Sequence, residues 1–131
     1  MMEMGLYSAV APLLLMLVSS VWQYPAVLEE VVKWGILKMG QSSDHSLAQG
    51  SELGIGLVVG LVFGLSEAIL YSSNAWASGD WNAMLYRIAL TVPMHTLTAM
   101  ITALGMKRGV GYIGLLLAMV LHVMFNSFVK I

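Results

Sequence analysis

The sequence predicts an all-α membrane protein, a polytopic bundle of about five transmembrane helices. Hydrophobic residues make up 59% of the chain and charged residues only 10%, and the mean hydropathy is +0.83. An ordinary soluble domain is far less apolar. With 131 residues, the chain forms one integral-membrane domain, residues 1–131. The net charge is -1 and the sequence has no basic stripe, which argues against nucleic acid as a partner. The partner that the composition predicts is the lipid bilayer.

Four apolar stretches are long enough to cross a bilayer, whose hydrocarbon core of about 30 Å requires roughly 20 helical residues. They cover approximately residues 4–22, 53–73, 82–104 and 109–129. Glu3 precedes the first stretch, and neither a basic cluster nor a small-residue cleavage site accompanies it. We therefore interpret the first stretch as a retained helix and not as a signal peptide.

Segment 25–39 predicts a further, shorter helix. Pro25 suits the first turn of a helix and Gly40 suits its end, which gives a length of about 22 Å at 1.5 Å per residue. Glu29 and Lys33 are spaced i, i+4, with the glutamate on the N-terminal side. This spacing favours an ion pair, and pairing would lower the cost of burying both groups.

The connection at residues 74–81 is short and carries two tryptophans. Trp76 and Trp81 suit the aromatic belt at a membrane interface. Either Asp80 or Asn82 could cap the helix that follows. This connection therefore predicts the start of the next membrane span.

Basic residues predict the orientation in the membrane. Lys107 and Arg108 form the basic cluster of a short loop, which places that turn on the cytoplasmic side. If segment 25–39 also crosses, the chain makes five crossings, with the N-terminus inside and the C-terminus outside. If it lay on the cytoplasmic surface instead, Glu29 and Glu30 would face the wrong leaflet.

Ionisable residues inside the apolar spans are costly and mark a functional site by default. Counted at about 1.5 Å per residue from the outer ends, Glu67 lies roughly 9 Å deep, His122 roughly 12 Å and His95 roughly 20 Å. These groups could share one cavity with Glu29 and Glu30.

Helical spacing supports this convergence. Phe63 and Glu67 are spaced i, i+4, as are His122 and Asn126, so each pair is expected on one face of its helix. Glycines at four-residue steps along the helix of Glu67, over residues 56–64, predict a close contact with a neighbouring helix.

Buried Glu and His residues can supply the base and the hydrogen-bond donors that a hydrolytic reaction inside a bilayer would need. The chain has no cysteine, which excludes thiol catalysis. A catalytic zinc shell of Glu30, His95 and His122 is the alternative. Glutamate-based catalysis without a cofactor is preferred because no H-E-x-x-H helix is present. A small proton-coupled transporter that uses the same buried Glu and His residues is a second class of function.

Four motifs occur in order along the chain. They are E-E-x-x-K at residues 29–33, F-x-x-x-E at 63–67 with a tyrosine shortly after it, an arginine leading to a histidine at 87–95, and H-x-x-x-N at 122–126. In these motifs the chain resembles the PrsW-type intramembrane proteases, relatives of the CAAX-processing and bacteriocin-processing membrane proteases. Lysine in the first motif and glutamate in the second favour the PrsW branch.

The resemblance implies an intramembrane endopeptidase with a defined set of catalytic residues. Glu29 or Glu30 would activate the water, assisted by His95. His122 with Asn126 would donate hydrogen bonds to the oxyanion.

The remaining motif residues would support this chemistry. Glu67 would orient one of the histidines or share the water, and Lys33 and Phe63 would support the site. Arg87 is interpreted as structural, either snorkelling outward or pairing with an acidic side chain. The resemblance implies a single-span membrane protein as substrate, such as an anti-sigma factor, in the membrane of a prokaryotic cell.

Overall fold

The described part of the chain consists of helices joined by short connections. The structure is a computed structural model that describes residues 2–19, 24–42 and 52–129, and no strand occurs among them. The predicted all-α fold is therefore confirmed. Most of the polar linker at 40–51 and the side chain of Trp76 lie outside the described residues. The helices are α1 Met2–Ser19, α2 Pro25–Ser42, α3 Glu52–Tyr71, the short α4 Ser73–Ser78, α5 Trp81–Lys107 and α6 Gly111–Phe128.

Two predicted helix boundaries are confirmed and one is wrong. α2 begins at Pro25, and Asp80 caps α5 by accepting a hydrogen bond from the backbone N–H of Ala83 at 3.0 Å. However, α2 continues through Gly40 to Ser42. Gly40 is buried, and the thioether of Met4 lies directly against its Cα. Because Gly40 has no side chain, α1 can pack closely against α2 at this point, and the helix does not end there.

Among the described residues, three helices are long and apolar enough to cross a membrane: Glu52–Leu70, Trp81–Lys107 and Gly111–Phe128. The segment Met2–Val18 is a shorter apolar helix. Large apolar side chains are exposed along the outer faces of α1 and α6, including Leu17 and Leu116. Such faces suit contact with lipid. Together these helices make the chain an integral membrane protein, and the crossing of all five long helices stays a prediction.

Helix α2 lies inside the bundle and not on its surface. It contacts α1, α3, α5 and α6. Its charged side chains at Glu30 and Lys33 are completely buried. Since a helix on the membrane surface would present its charges to water, the position of α2 supports the prediction that it crosses.

The long helices alternate in direction. Met4, near the start of α1, lies against Gly40, near the end of α2. The end of α2 at Gln41 meets the start of α3 at Glu52, and Glu52 contacts Lys107 at the end of α5 with 3.6 Å between Oε2 and Nζ. A short turn then reverses the chain into α6. The starts of α1, α3 and α6 consequently lie at one end of the bundle, as an odd number of crossings requires.

Helices α3 and α5 pack with their backbones almost in contact, as the glycine spacing predicts. A Cβ atom at Gly60 would lie 2.5 Å from the Cα of Thr96. A second close crossing, which the sequence analysis missed, joins α5 to α6 at Gly105 and Gly114. The α3 contacts run along Gly56, Gly60 and Gly64.

Candidate active site

Four helices contribute polar side chains to one buried cluster. α2 provides the charged residues, α3 and α6 each add one ionisable residue, and α5 adds a histidine and a threonine. Burying so many polar groups is costly in a membrane and needs partners for each. The cluster consists of Glu29, Glu30, Lys33, Glu67, His95, Thr98 and His122, with Phe63 packed beside it.

Glu30 lies at the centre of this cluster. Its Oε1 accepts a hydrogen bond from Lys33 Nζ at 2.6 Å and lies 2.7 Å from His122 Nδ1. The predicted short ion pair between Glu29 and Lys33 is wrong, because Lys33 pairs with Glu30 instead. Successive helical residues diverge by about 100°. Glu30 and Lys33 therefore point into the bundle together, whereas Glu29 turns toward the other ring nitrogen of His122.

Lys33 has a full set of partners. Besides Glu30, its Nζ donates to Thr98 Oγ1 at 2.7 Å and lies 3.1 Å from His95 Nδ1. The ring of Phe63 lies below the ammonium, with 5.4 Å from Nζ to the ring centroid. Thr98 was missed in the sequence analysis. Its spacing of three residues from His95 on the same helix was the available signal.

The two histidines lie side by side and face a carboxylate each. Their ring centroids are 4.9 Å apart and the rings are perpendicular. His122 Nε2 lies 3.5 Å from Glu29 Oε2, and His95 Nε2 contacts Glu67 Oε2. The Nε2 atoms of both rings therefore point toward the same space between α2 and α3.

This space has the donor atoms of a metal site. Glu29, His95 and His122 each offer one ligand atom, and these atoms lie within 4.8 Å of one another. The Oε2 of Glu29 is buried without a hydrogen-bond partner among the described residues, and the Nε2 of His95 contacts the Glu67 carboxylate. One carboxylate and two histidines are a familiar zinc set, so the residues fit a metal. The carboxylate is Glu29 and not the predicted Glu30, which is held by Lys33 and His122 Nδ1.

Asn126 lies outside the cluster, although it is one turn from His122 on the same helix. His122 is 1% exposed, but Asn126 is exposed. The last turn of α6 is exposed at most of its positions, so it lies beyond the packed part of the bundle. Arg87 is half-buried, and its positive charge acts on the Glu67 carboxylate. This agrees with a supporting role for Arg87.

Residues 5–131 match the protein family described as PrsW family intramembrane metalloprotease. The chain belongs to the PrsW family. It is therefore an intramembrane protease, and the resemblance of its four motifs is confirmed. No curated protein and no solved structure matches the chain. Membership of this family does not favour the transporter alternative. The word metalloprotease in the family description agrees with the donor set of Glu29, His95 and His122.

Proposed function

We propose that this PrsW-family protein is an endopeptidase that hydrolyses a peptide bond of a single-span membrane protein, with Glu29 as the general base. The observation that carries the proposal is the convergence of Glu29, Glu67, His95 and His122 from four different helices on one buried space. Helix packing alone does not require so many buried ionisable residues in one place. A hydrolytic site needs several of them at once.

The choice of Glu29 over Glu30 follows from their partners. Glu30 Oε1 is bonded to Lys33 and to His122 Nδ1. The Oε2 atoms of both glutamates lack a hydrogen-bond partner among the described residues, but Glu29 Oε2 lies 3.5 Å from His122 Nε2, and Glu29 belongs to the donor set that shares the space with both histidines. A base needs a free lone pair within reach of the water. Glu30 instead holds His122 in position.

The proposed reaction is an ordinary hydrolysis. The Glu29 carboxylate accepts a proton from water, and the water oxygen bonds to the carbonyl carbon of the substrate. Charge then develops on the carbonyl oxygen, where a histidine N–H can donate a hydrogen bond. The carbon–nitrogen bond breaks as the proton passes to the amine nitrogen. A histidine thus takes the oxyanion role that the sequence analysis gave to His122 with Asn126.

A metal-dependent version of the same reaction is the second candidate, favoured by the donor set and by the family description. Glu29, His95 and His122 would hold the ion. A zinc ion at such a site polarises the scissile carbonyl and lowers the pKa of a bound water. In that version Glu67, which contacts His95, would be the carboxylate left to accept a proton.

The substrate class is proposed from the resemblance and from the position of the cluster. The basic turn at Lys107 and Arg108 lies at one end of the bundle, and Glu67 is four residues from the end of α3 at the other. If the basic turn is cytoplasmic, the site lies in the outer half of the bilayer. A single-span protein such as an anti-sigma factor, cut on its extracytoplasmic side, suits this depth.

Cleavage by the full chain in liposomes that contain labelled single-span peptides tests the proposal. We expect Glu29→Gln to lower kcat by a factor of about 100 or more, as loss of a general base does. The matched control is Glu52→Gln at the opposite end of the bundle, which should retain wild-type cleavage. Proton-coupled solute flux without cleavage of any peptide would favour the transporter, and cleavage unchanged in Glu29→Gln would exclude Glu29 as the base.

Metal analysis of the same preparation separates the two mechanisms. The glutamate mechanism predicts that purified protein contains no stoichiometric metal and that chelation leaves the cleavage rate unchanged. Stoichiometric zinc, with loss of cleavage on chelation and recovery on addition of zinc, would establish the metal version. In both cases the peptide-cleavage assay is the common readout.

A further inference from the structure

The two histidines of the cluster have opposite partners at their Nδ1 atoms. His122 Nδ1 lies 2.7 Å from a carboxylate oxygen of Glu30, and an ionised carboxylate can only accept hydrogen bonds. His95 Nδ1 lies 3.1 Å from Lys33 Nζ, and an ammonium can only donate. In a neutral imidazole one nitrogen donates and the other accepts. The two rings are therefore expected in opposite tautomers.

The ammonium state of Lys33 follows from its surroundings. Its side chain is 1% exposed and its Nζ lies 2.6 Å from Glu30 Oε1, and an opposite charge at this distance favours the charged form of an amine. An ammonium has three N–H bonds, and the three acceptors around Nζ are Glu30 Oε1, Thr98 Oγ1 and His95 Nδ1. Every donor of the ammonium has one partner, so none is left to rearrange.

Thr98 completes this arrangement from α5. Its hydroxyl accepts from Lys33 at 2.7 Å and donates to the backbone carbonyl of His95 at 3.2 Å. The single hydroxyl proton is thus used within α5, which leaves a lone pair of the oxygen for Lys33. Because Thr98 holds one N–H and Glu30 holds another, the third N–H of Lys33 is directed at His95 Nδ1.

We propose that Thr98 is a positioning residue which, through Lys33, fixes His95 in the tautomer that carries its proton on Nε2. This nitrogen contacts Glu67 and faces the space between α2 and α3. His95 would then be a hydrogen-bond donor to the reacting groups, while His122 presents an unprotonated Nε2 toward Glu29. The catalytic meaning of this arrangement rests on the proposed function, but the tautomer itself does not.

Nitrogen NMR of the full chain labelled with ¹⁵N-histidine tests the proposal at one fixed pH. Spectra are recorded for the protein as isolated and after chelation, and His45→Gln and His95→Gln assign the resonances. We expect His95 Nε2 to show a directly bonded proton and His95 Nδ1 to show none, with the reverse pattern for His122. The readout reports protonation of the ring and not fold or activity.

Thr98→Val removes the hydroxyl with little change of shape, and Thr98→Ser keeps a hydroxyl. We expect the valine variant to populate both His95 tautomers and to lose roughly 10-fold in kcat, at an unchanged KM, as is common for an outer partner of a catalytic histidine. The serine variant should resemble wild type. Thr96→Val is the matched control, because the Thr96 hydroxyl bonds to the Val92 carbonyl of its own helix.

A proton on His95 Nδ1 in the wild-type protein, or a metal bound to His95 Nε2 in the protein as isolated, would overturn the proposal. So would a Thr98→Val variant with the tautomer and kcat of wild type. Failure of the proposed function gives a different result. In that case wild-type protein would show the expected tautomers and cleave no peptide.

Discussion

One glutamate–lysine pair lies in the middle of the bundle and another at one end, and the two pairs differ in burial. Lys33 and Glu30 are 2.6 Å apart, and their side chains are 1% and 0% exposed. Lys107 and Glu52 are 3.6 Å apart and are 53% and 37% exposed. The buried pair has further partners on α5 and α6, whereas the exposed pair simply joins the end of α5 to the start of α3. The same two residue types thus occur in very different environments.

The difference shows why the buried pair is expected to serve function more than stability. Exposed ion pairs contribute about 0–1 kcal/mol, since water already solvates both charges. Burying a pair costs more in desolvation than the attraction returns, so apolar residues of similar volume are often as stable or more so. The Glu30–Lys33 pair is buried in a membrane bundle at that cost. It contacts both His95 and His122, and orienting these two rings is the function that we expect it to serve.

Breaking the buried pair should have the largest effect on the stability of this protein. Lys33→Met leaves Glu30 as a buried charge with one partner fewer, so we expect a loss of about 3–5 kcal/mol in the free energy of unfolding. Cleavage should fall on the order of 100-fold, because both histidines lose their orientation. Thermal unfolding in detergent and the liposome cleavage assay measure the two effects.

Two further variants make this test specific. Lys107→Met at the exposed pair should change stability by no more than about 1 kcal/mol and leave cleavage intact. The double variant Glu30→Gln, Lys33→Met removes both buried charges and should regain part of the stability without regaining activity. Equal losses from the buried and the exposed pair would contradict the comparison.

Disturbing the contact between α3 and α5 should have the next largest effect on stability, and it should also lower cleavage because this contact sets the distance between Glu67 and His95. Gly60→Ala would place a Cβ 2.5 Å from the Cα of Thr96, which forces the two backbones apart. Overpacking of this kind costs about 1–3 kcal/mol. We expect a lower unfolding temperature together with reduced cleavage, since the shift moves Glu67 away from His95.

Gly35→Ala is the matched control for this variant. A Cβ at Gly35 would have nothing within 4 Å, and alanine is the better helix former by up to about 1 kcal/mol. The control should therefore be as stable as wild type or more so. If Gly60→Ala behaved in the same way, the close contact between α3 and α5 would not determine the geometry of the site.

Most of the fold and much of the cluster could be predicted from sequence because membranes constrain both. Apolar length predicts helices, and ionisable residues inside them predict a site, since each is too costly to occur by chance. Spacing along one helix was a weaker guide to contacts between helices. It predicted a pair between Glu29 and Lys33, but the structure pairs Lys33 with Glu30. For Thr98 it offered only the three-residue distance from His95, because the contact of Thr98 with Lys33 depends on the packing of α5 against α2.

At Asn126 the prediction from helical spacing differs most from the observed burial. Replacing this residue should have the smallest effect on stability and on cleavage. The i, i+4 relation to His122 holds along α6, but it predicts a shared environment only where both turns are packed. Asn126 is exposed, so Asn126→Ala should leave stability within about 0.5 kcal/mol and cleavage close to wild type. His122→Ala, the buried counterpart one turn away, should abolish cleavage. A large loss of kcat in Asn126→Ala would show instead that the exposed end of α6 closes over the substrate and restores the predicted oxyanion donor.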